Sequence, residues 1–216
     1  MFNTMKAGSV AALILALVYL AGFALMASLA GHSAGLGPEQ QLAAALERKT
    51  LVWLLIGALY FVSGLALLVL TAATDDFLKP GARDWMRLAT PLGYIWAAVL
   101  LAAGMIGQVG LELVAKLHAK DPAQALQLWR ALNLMLEGLG GGVELLGGCW
   151  VLLLARASLG QGLMPKTLLV LSIVVGLAGV LTAVPALADA VYVFGLGQIP
   201  WFMLLSYVLW RRAAAA

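Results

Sequence analysis

The sequence predicts an all-α membrane protein, a six-transmembrane-helix bundle with both termini inside and one short helix lying on the outer interface. Three observations predict it. Of 216 residues, 63% are apolar and only 11% charged, with a mean hydropathy of +1.00, far outside the usage of soluble domains. The apolar residues fall in runs of about 20, the length a helix needs to cross ~30 Å of hydrocarbon. The charges gather between those runs, beside turn signals. A lone cysteine, Cys149, sits inside an apolar run; it leaves no intrachain disulfide and reads as a small packing residue. The net charge of +3 is dispersed over helix ends, and no basic, aromatic-interleaved patch points to nucleic acid. The bilayer is the partner that composition implies.

The chain reads as one transmembrane domain with spans at about 8–30, 50–74, 91–115, 126–155, 167–187 and 193–210. Lys6 ahead of the first run and Ser28-Leu29-Ala30 at its end imitate a secretory signal, but the run exceeds a signal core, so it is read as a retained helix. Gly31 to Pro38 breaks it. Pro38 to Arg48, with Leu42 and Leu46 four apart among polar residues, reads as the interfacial helix. The second span leaves the membrane at Thr74-Asp75-Asp76, and a loop from Asp75 to Thr90 turns at Pro80-Gly81. The third carries Gln108 and Glu112 one turn apart. Asp121-Pro122 supplies a capping side chain and a proline at the first helical position for the fourth. A turn-rich stretch from Ser158 to Lys166 precedes the fifth, whose end Pro185 bends, and Asp189 lies in the last connection. Trp53, Trp85, Trp129, Trp201 and Trp210 fall near predicted ends, where interfacial aromatics are ordinary.

Orientation follows from Lys and Arg. Lys6, Lys79, Arg83, Arg87, Arg156, Lys166, Arg211 and Arg212 share one side, against Arg48, Lys49, Lys116, Lys120 and Arg130 on the other. The richer side is the cytoplasmic one.

The fourth span holds the polar groups that need explaining. Arg130, Asn133, Glu137 and Glu144 recur at spacings of three, four and seven, which places them on one helical face. An ionised side chain at mid-membrane costs several kcal/mol or more, so the fold must cover this face. Glycines from Gly138 to Gly142 and at Gly147 and Gly148 allow close helix approach or a distortion of the helix; they lack the Lys-Ser/Thr of a phosphate loop. Gln108 and Glu112 stand at the same level as Arg130 and Asn133, with Arg130 a partner for Glu112, while Asp189 and Gln198 flank the last outer connection. The expectation is an outward-facing polar cavity in which Glu137 and Glu144, with Asn133, Arg130, Glu112, Gln108 and Asp189 around them, bind a proton, a cation or an amine. The bland reading of the same face is a buried polar ladder that sets helix register.

His32 and His118 are the only histidines. With Glu112 they would make a metal site, or together ligate a haem, but neither sits in a close ligand motif, and interfacial histidines in water are the simpler reading. No cofactor is expected. No nucleophile motif signals hydrolysis.

The central span, the stretch Gly160-Gln161-Gly162-Leu163-Met164-Pro165-Lys166 and the run Leu168 to Leu181 resemble the bacterial six-helix membrane family known as domain of unknown function 4386, in which a Leu-Pro turn also precedes a Gly-containing fifth helix. The resemblance covers the second half of the chain and implies a bacterial inner (cytoplasmic) membrane protein; it carries no functional residue across. Three roles fit these readings. The first is binding or transport of a small cation, proton-coupled solute or amphiphile. The second is an enzyme acting on a lipid or quinone headgroup with Glu137 or Glu144 as acid or base. The third is a non-catalytic subunit packed against a membrane partner or another copy of itself.

Overall fold

The computed structural model describes residues 3–33 and 35–215, with the side chains of 29–33 left out. It is all helical among those residues, with no strand. In chain order α1 spans Thr4–Ser33, α2 Pro38–Glu47, α3 Lys49–Ile56, α4 Ser63–His118, α5 Pro122–Leu136, α6 Leu145–Ser158, α7 Lys166–Leu181 and α8 Ala190–Ala215. Four stretches are long and apolar enough to cross a membrane: Thr4–Ser28, Lys49–His118, Pro122–Ser158 and Ala190–Ala215; Lys166–Leu181 is a shorter apolar helix. Large apolar side chains lie exposed on their flanks, among them Leu65, Met105, Val170, Leu177 and Met203. In water such a surface would drive association; against lipid tails it is the ordinary exterior.

The stretch from Lys49 to His118 is a hairpin. A wide turn at Gly57–Val62 joins α3 to α4, and helical dihedrals fail inside α4 only at Ala82 (φ −143°, ψ 45°). Contacts between the arms run in opposite directions: Lys49 meets Glu112 at 2.7 Å, Gly64 abuts Leu101, Gly93 abuts Thr71, and Thr90 Oγ1 donates to Asp75 Oδ1 at 2.6 Å. The loop expected over Asp75 to Thr90 is therefore helical on both sides of a one-residue corner. Its polar residues do not break the helix because they bond within it: Lys79 reaches Asp75 one turn earlier at 2.8 Å, and Thr90 ties the corner shut. Pro80 falls in the final turn before Ala82, where the helix is ending in any case.

The terminal helices are neighbours. Ser9 Oγ donates to the Ser206 carbonyl and Ser206 Oγ to the Ser9 carbonyl, each at 2.8 Å, pinning α1 antiparallel to α8. Gly8 lets α1 close on Ala73 of α4. At that end of the bundle Arg156 stacks over Trp85 at 4.5 Å and Arg212 over Phe77 at 5.8 Å, so two of the cations read as sharing one side both lie beside the Ala82 corner. The core is a chain of aromatic rings, Trp96 to Trp150 (5.8 Å), Trp150 to Trp201 (5.9 Å), Trp201 to Phe202 (5.2 Å) and Phe202 to Tyr19 (5.8 Å), most of them edge to face. Trp201, expected at an interface, is fully buried, and its Nε1 donates to Ser172 Oγ at 2.7 Å.

At the opposite end α2 packs Leu42 against Val114, Ala125 and Leu132, a small second core between α2, the end of α4 and α5. The Gly37 N–H bonds to Gln40 Oε1 and Pro38 opens the helix. Asp121 caps α5 through Gln124 N at 3.0 Å with Pro122 at its first position, as its sequence indicates. After α7 the chain does not continue helical to Leu187: Thr182 closes α7, and Pro185–Leu187 forms a separate tight turn.

Candidate functional site

The site begins with a break. After α5 the backbone widens into a turn at Glu137–Gly141, Gly140 takes φ +119°, and α6 restarts only at Leu145, with Glu144 as its capping position. A left-handed φ of this size strains any residue with a Cβ, which is why a glycine run marks the place. The expected single helix over 126–155 is thus two helices meeting end to end. The carbonyl end of one faces the N–H end of the next, so partial negative and positive charge converge there.

Glu144 stands at this junction with 8% of its surface exposed. Its backbone N–H donates to Thr182 Oγ1 at 2.8 Å, and Thr182 in turn donates to the Gly179 carbonyl at 2.7 Å, so the end of α7 holds the restart of α6. Among the described residues its carboxylate has neither a hydrogen bond nor an ion pair. Tyr19 from α1 and Tyr60 from the wide turn before α4 lie near enough to feel its charge, and Tyr60 also feels Glu137. A carboxylate enclosed this way is stable as the neutral acid or when a cation neutralises it.

The other sequence-derived residues are more open to the surface. Arg130, Glu137 and Asp189 are exposed, and Asn133, Gln108 and Glu112 are partly so. Glu112 pairs with Lys49 at 2.7 Å rather than with Arg130, since the α3–α4 hairpin puts Lys49 opposite it. Gln108 Nε2 donates to the Trp53 carbonyl at 3.1 Å across the same hairpin. The shared face of Arg130, Asn133, Glu137 and Glu144 does not survive the break, because the spacing rule holds only along an unbroken helix. Gln198 is not at a connection: it lies within α8, wholly buried, with neither amide atom bonded.

His118 lines a pocket of about 410 Å³ with Glu39, Leu42 and Asp121, and the His32 side chain lies outside the described residues. Among the described residues no three His, Cys, Asp or Glu side chains are grouped to hold a metal ion. Neither this pocket nor the apolar groove of about 540 Å³ beside Lys166, Val170 and Leu204 is lined by Glu137 or Glu144. Tyr19, Tyr60 and Thr182 are the neighbours of the break that sequence reasoning missed. A tyrosine in a long apolar run is the one local signal the first two carry.

No protein-family model, no curated protein and no solved structure matches this chain.

Proposed function

We propose that the chain crosses a bacterial inner membrane six times, both termini in the cytoplasm, and binds or moves a small cation or a proton-coupled solute at Glu144. The observation that carries the binding role is a buried, unpartnered carboxyl at a helix break, with the Tyr60 hydroxyl beside the same break. Six crossings follow if the hairpin at Ala82 counts as two passes and α7, about 24 Å long at 1.5 Å per residue, crosses together with the turn after it. Kinship with the six-helix family suggested by the second half belongs to the same proposal.

The same reading moves most of the polar face out of the membrane. Thr182 fixes Glu144 level with the end of α7, whereas α5 runs on from Glu137 for 15 residues, about 22 Å, in the company of α2, α3 and the end of α4. That group projects past the turn between α7 and α8. With α5 outside the hydrocarbon in this reading, exposed Arg130 and Glu137 would stand in water and need no neighbours to cover them. Glu144 alone remains within the bundle. The glycine break beside it is the natural point of movement, since broken helices in membranes persist where they line a site.

The test is reconstitution in vesicles holding a pH-sensitive dye. Gradients of sodium, potassium, ethylamine and tetramethylammonium should include one that drives proton movement or solute uptake, and Glu144→Gln should fold and lose it. Equal uptake by the variant would remove the carboxyl from the mechanism. Uptake of none of these probes, with product formed from lipid or quinone in detergent, would turn the reading to the enzyme.

A further inference from the structure

Apart from Glu144, the bundle buries a second set of polar atoms with no partner. Ser63 Oγ, Thr71 Oγ1, Trp150 Nε1 and both amide atoms of Gln198 make no hydrogen bond, and all four residues are at most 1% exposed. Buried polar groups are almost always satisfied, by protein or by ordered water, so a cluster of orphans marks the place of water. These four are not scattered. Ser63, Thr71 and Thr74 fall within about a quarter of the circumference of α4, on one face. Thr74 satisfies its hydroxyl on the Leu70 carbonyl one turn back; Thr71 and Ser63 do not use that option.

Across from Thr71, Gly93 packs too closely to admit a side chain. A Cβ there would lie 2.5 Å from Trp150 Nε1 and 2.6 Å from Thr71 Oγ1, so an indole donor and a hydroxyl flank the same spot. Gln198 comes from α8 between Phe194 and Trp201, whose rings meet Trp96 at 6.4 Å and Trp150 at 5.9 Å, and so enters the same layer. Continuing along α4, Asp75 takes the Thr90 hydroxyl and the Lys79 ammonium at the hairpin corner. In the other direction lies Tyr60, whose hydroxyl stands beside the helix break, 3.2 Å from where a Cβ on Gly141 would be.

We propose that this seam holds ordered water and gives protons a path between the level of Glu144 and the Asp75 corner. Each water passes one proton on as it accepts another, so nothing but charge is displaced. The inference extends the role given to Glu144 but rests on different atoms, and its tests need no ligand for that site.

The first measurement uses the native protein in lipid vesicles: transfer of magnetisation from water to indole N–H groups by solid-state NMR, assigned with Trp150→Phe. Trp150 should receive it strongly and Trp201, bonded to Ser172, at least fivefold less; equal silence at both would overturn the proposal. In a Cys149→Ser background, silver ions should block Thr71→Cys at least a hundredfold faster than Ala73→Cys, an equally buried neighbour off this face. Matching rates would mean a dry seam. Finally, Gln198→Leu removes the amide at similar volume and should cut proton leak through the reconstituted protein at least tenfold; no leak in the native protein, or an unchanged one, would sink the path. If Trp150 sees water while no cation engages Glu144, the site reading has failed and the seam stands.

Discussion

Gly148→Ala is the substitution whose consequence the packing of α6 on α7 defines most sharply. A methyl group at Gly148 would sit 2.6 Å from the Gly176 carbonyl oxygen, 2.6 Å from Val180 N and 2.8 Å from Gly179 C, all backbone of α7. No rotamer change relieves a clash with backbone, so α6 and α7 must part by about 0.8 Å to restore ordinary contact at 3.4 Å. A gap of 0.5–1 Å forfeits about a quarter to a half of each dispersion contact, worth about 0.1–0.2 kcal/mol per atom pair, and several tens of pairs are affected. The loss comes to roughly 2–4 kcal/mol, partly offset by about 0.5–1 kcal/mol from the better helix propensity of alanine. Net destabilisation should be about 1–3 kcal/mol, a fall of roughly 3–10 °C in the thermal midpoint for a chain of this size. Tryptophan emission during heating in detergent would report it. Gly138→Ala is the control, since nothing lies within 4 Å of its added methyl. Should Gly148→Ala melt with the native protein, or should the control fall as far, the close α6–α7 contact is not what holds these helices.

Gly140→Ala should cost about 1–2 kcal/mol, because alanine resists φ +119°, and should impair uptake beyond its effect on the melting curve if the break moves. Ser9→Ala and Ser206→Ala should each cost about 1 kcal/mol, and the double variant less than the sum, which a double-mutant cycle on the same curves measures. Lys49→Met should lower stability by less than about 1 kcal/mol, with the difference fading in high salt, because the Lys49–Glu112 pair is half exposed.

Local chemistry was legible in the residues themselves. Asp121-Pro122 caps α5 as expected, and the turn-rich Gly160 and Gly162 take left-handed φ of +82° and +64°. The glycine run Gly138 to Gly142 was open to a distorted helix and is one. What could not be read was tertiary. Asp75 to Thr90 looks like a loop until Thr90 and Lys79 are seen to bond Asp75, and Arg130 looks like the partner of Glu112 until the hairpin brings Lys49 opposite. Trp201 has the spacing of an interfacial aromatic, but Ser172 offers its N–H a partner in the core. The polar face on the fourth span failed for a related reason: periodicity presumes an unbroken helix, and the break sits between Glu137 and Glu144.

A cation site at Glu144 requires a carboxyl surrounded by protein and reached from water, which cysteine labelling in intact vesicles tests directly. With Cys149→Ser as background, a small membrane-impermeant cationic thiol reagent should modify Glu144→Cys from the outer face far faster than Met105→Cys, a residue on the exposed apolar surface of α4. If position 144 resists that reagent as fully as position 105, yet yields to a lipid-soluble maleimide, the carboxyl faces hydrocarbon and the proposed cation site does not exist.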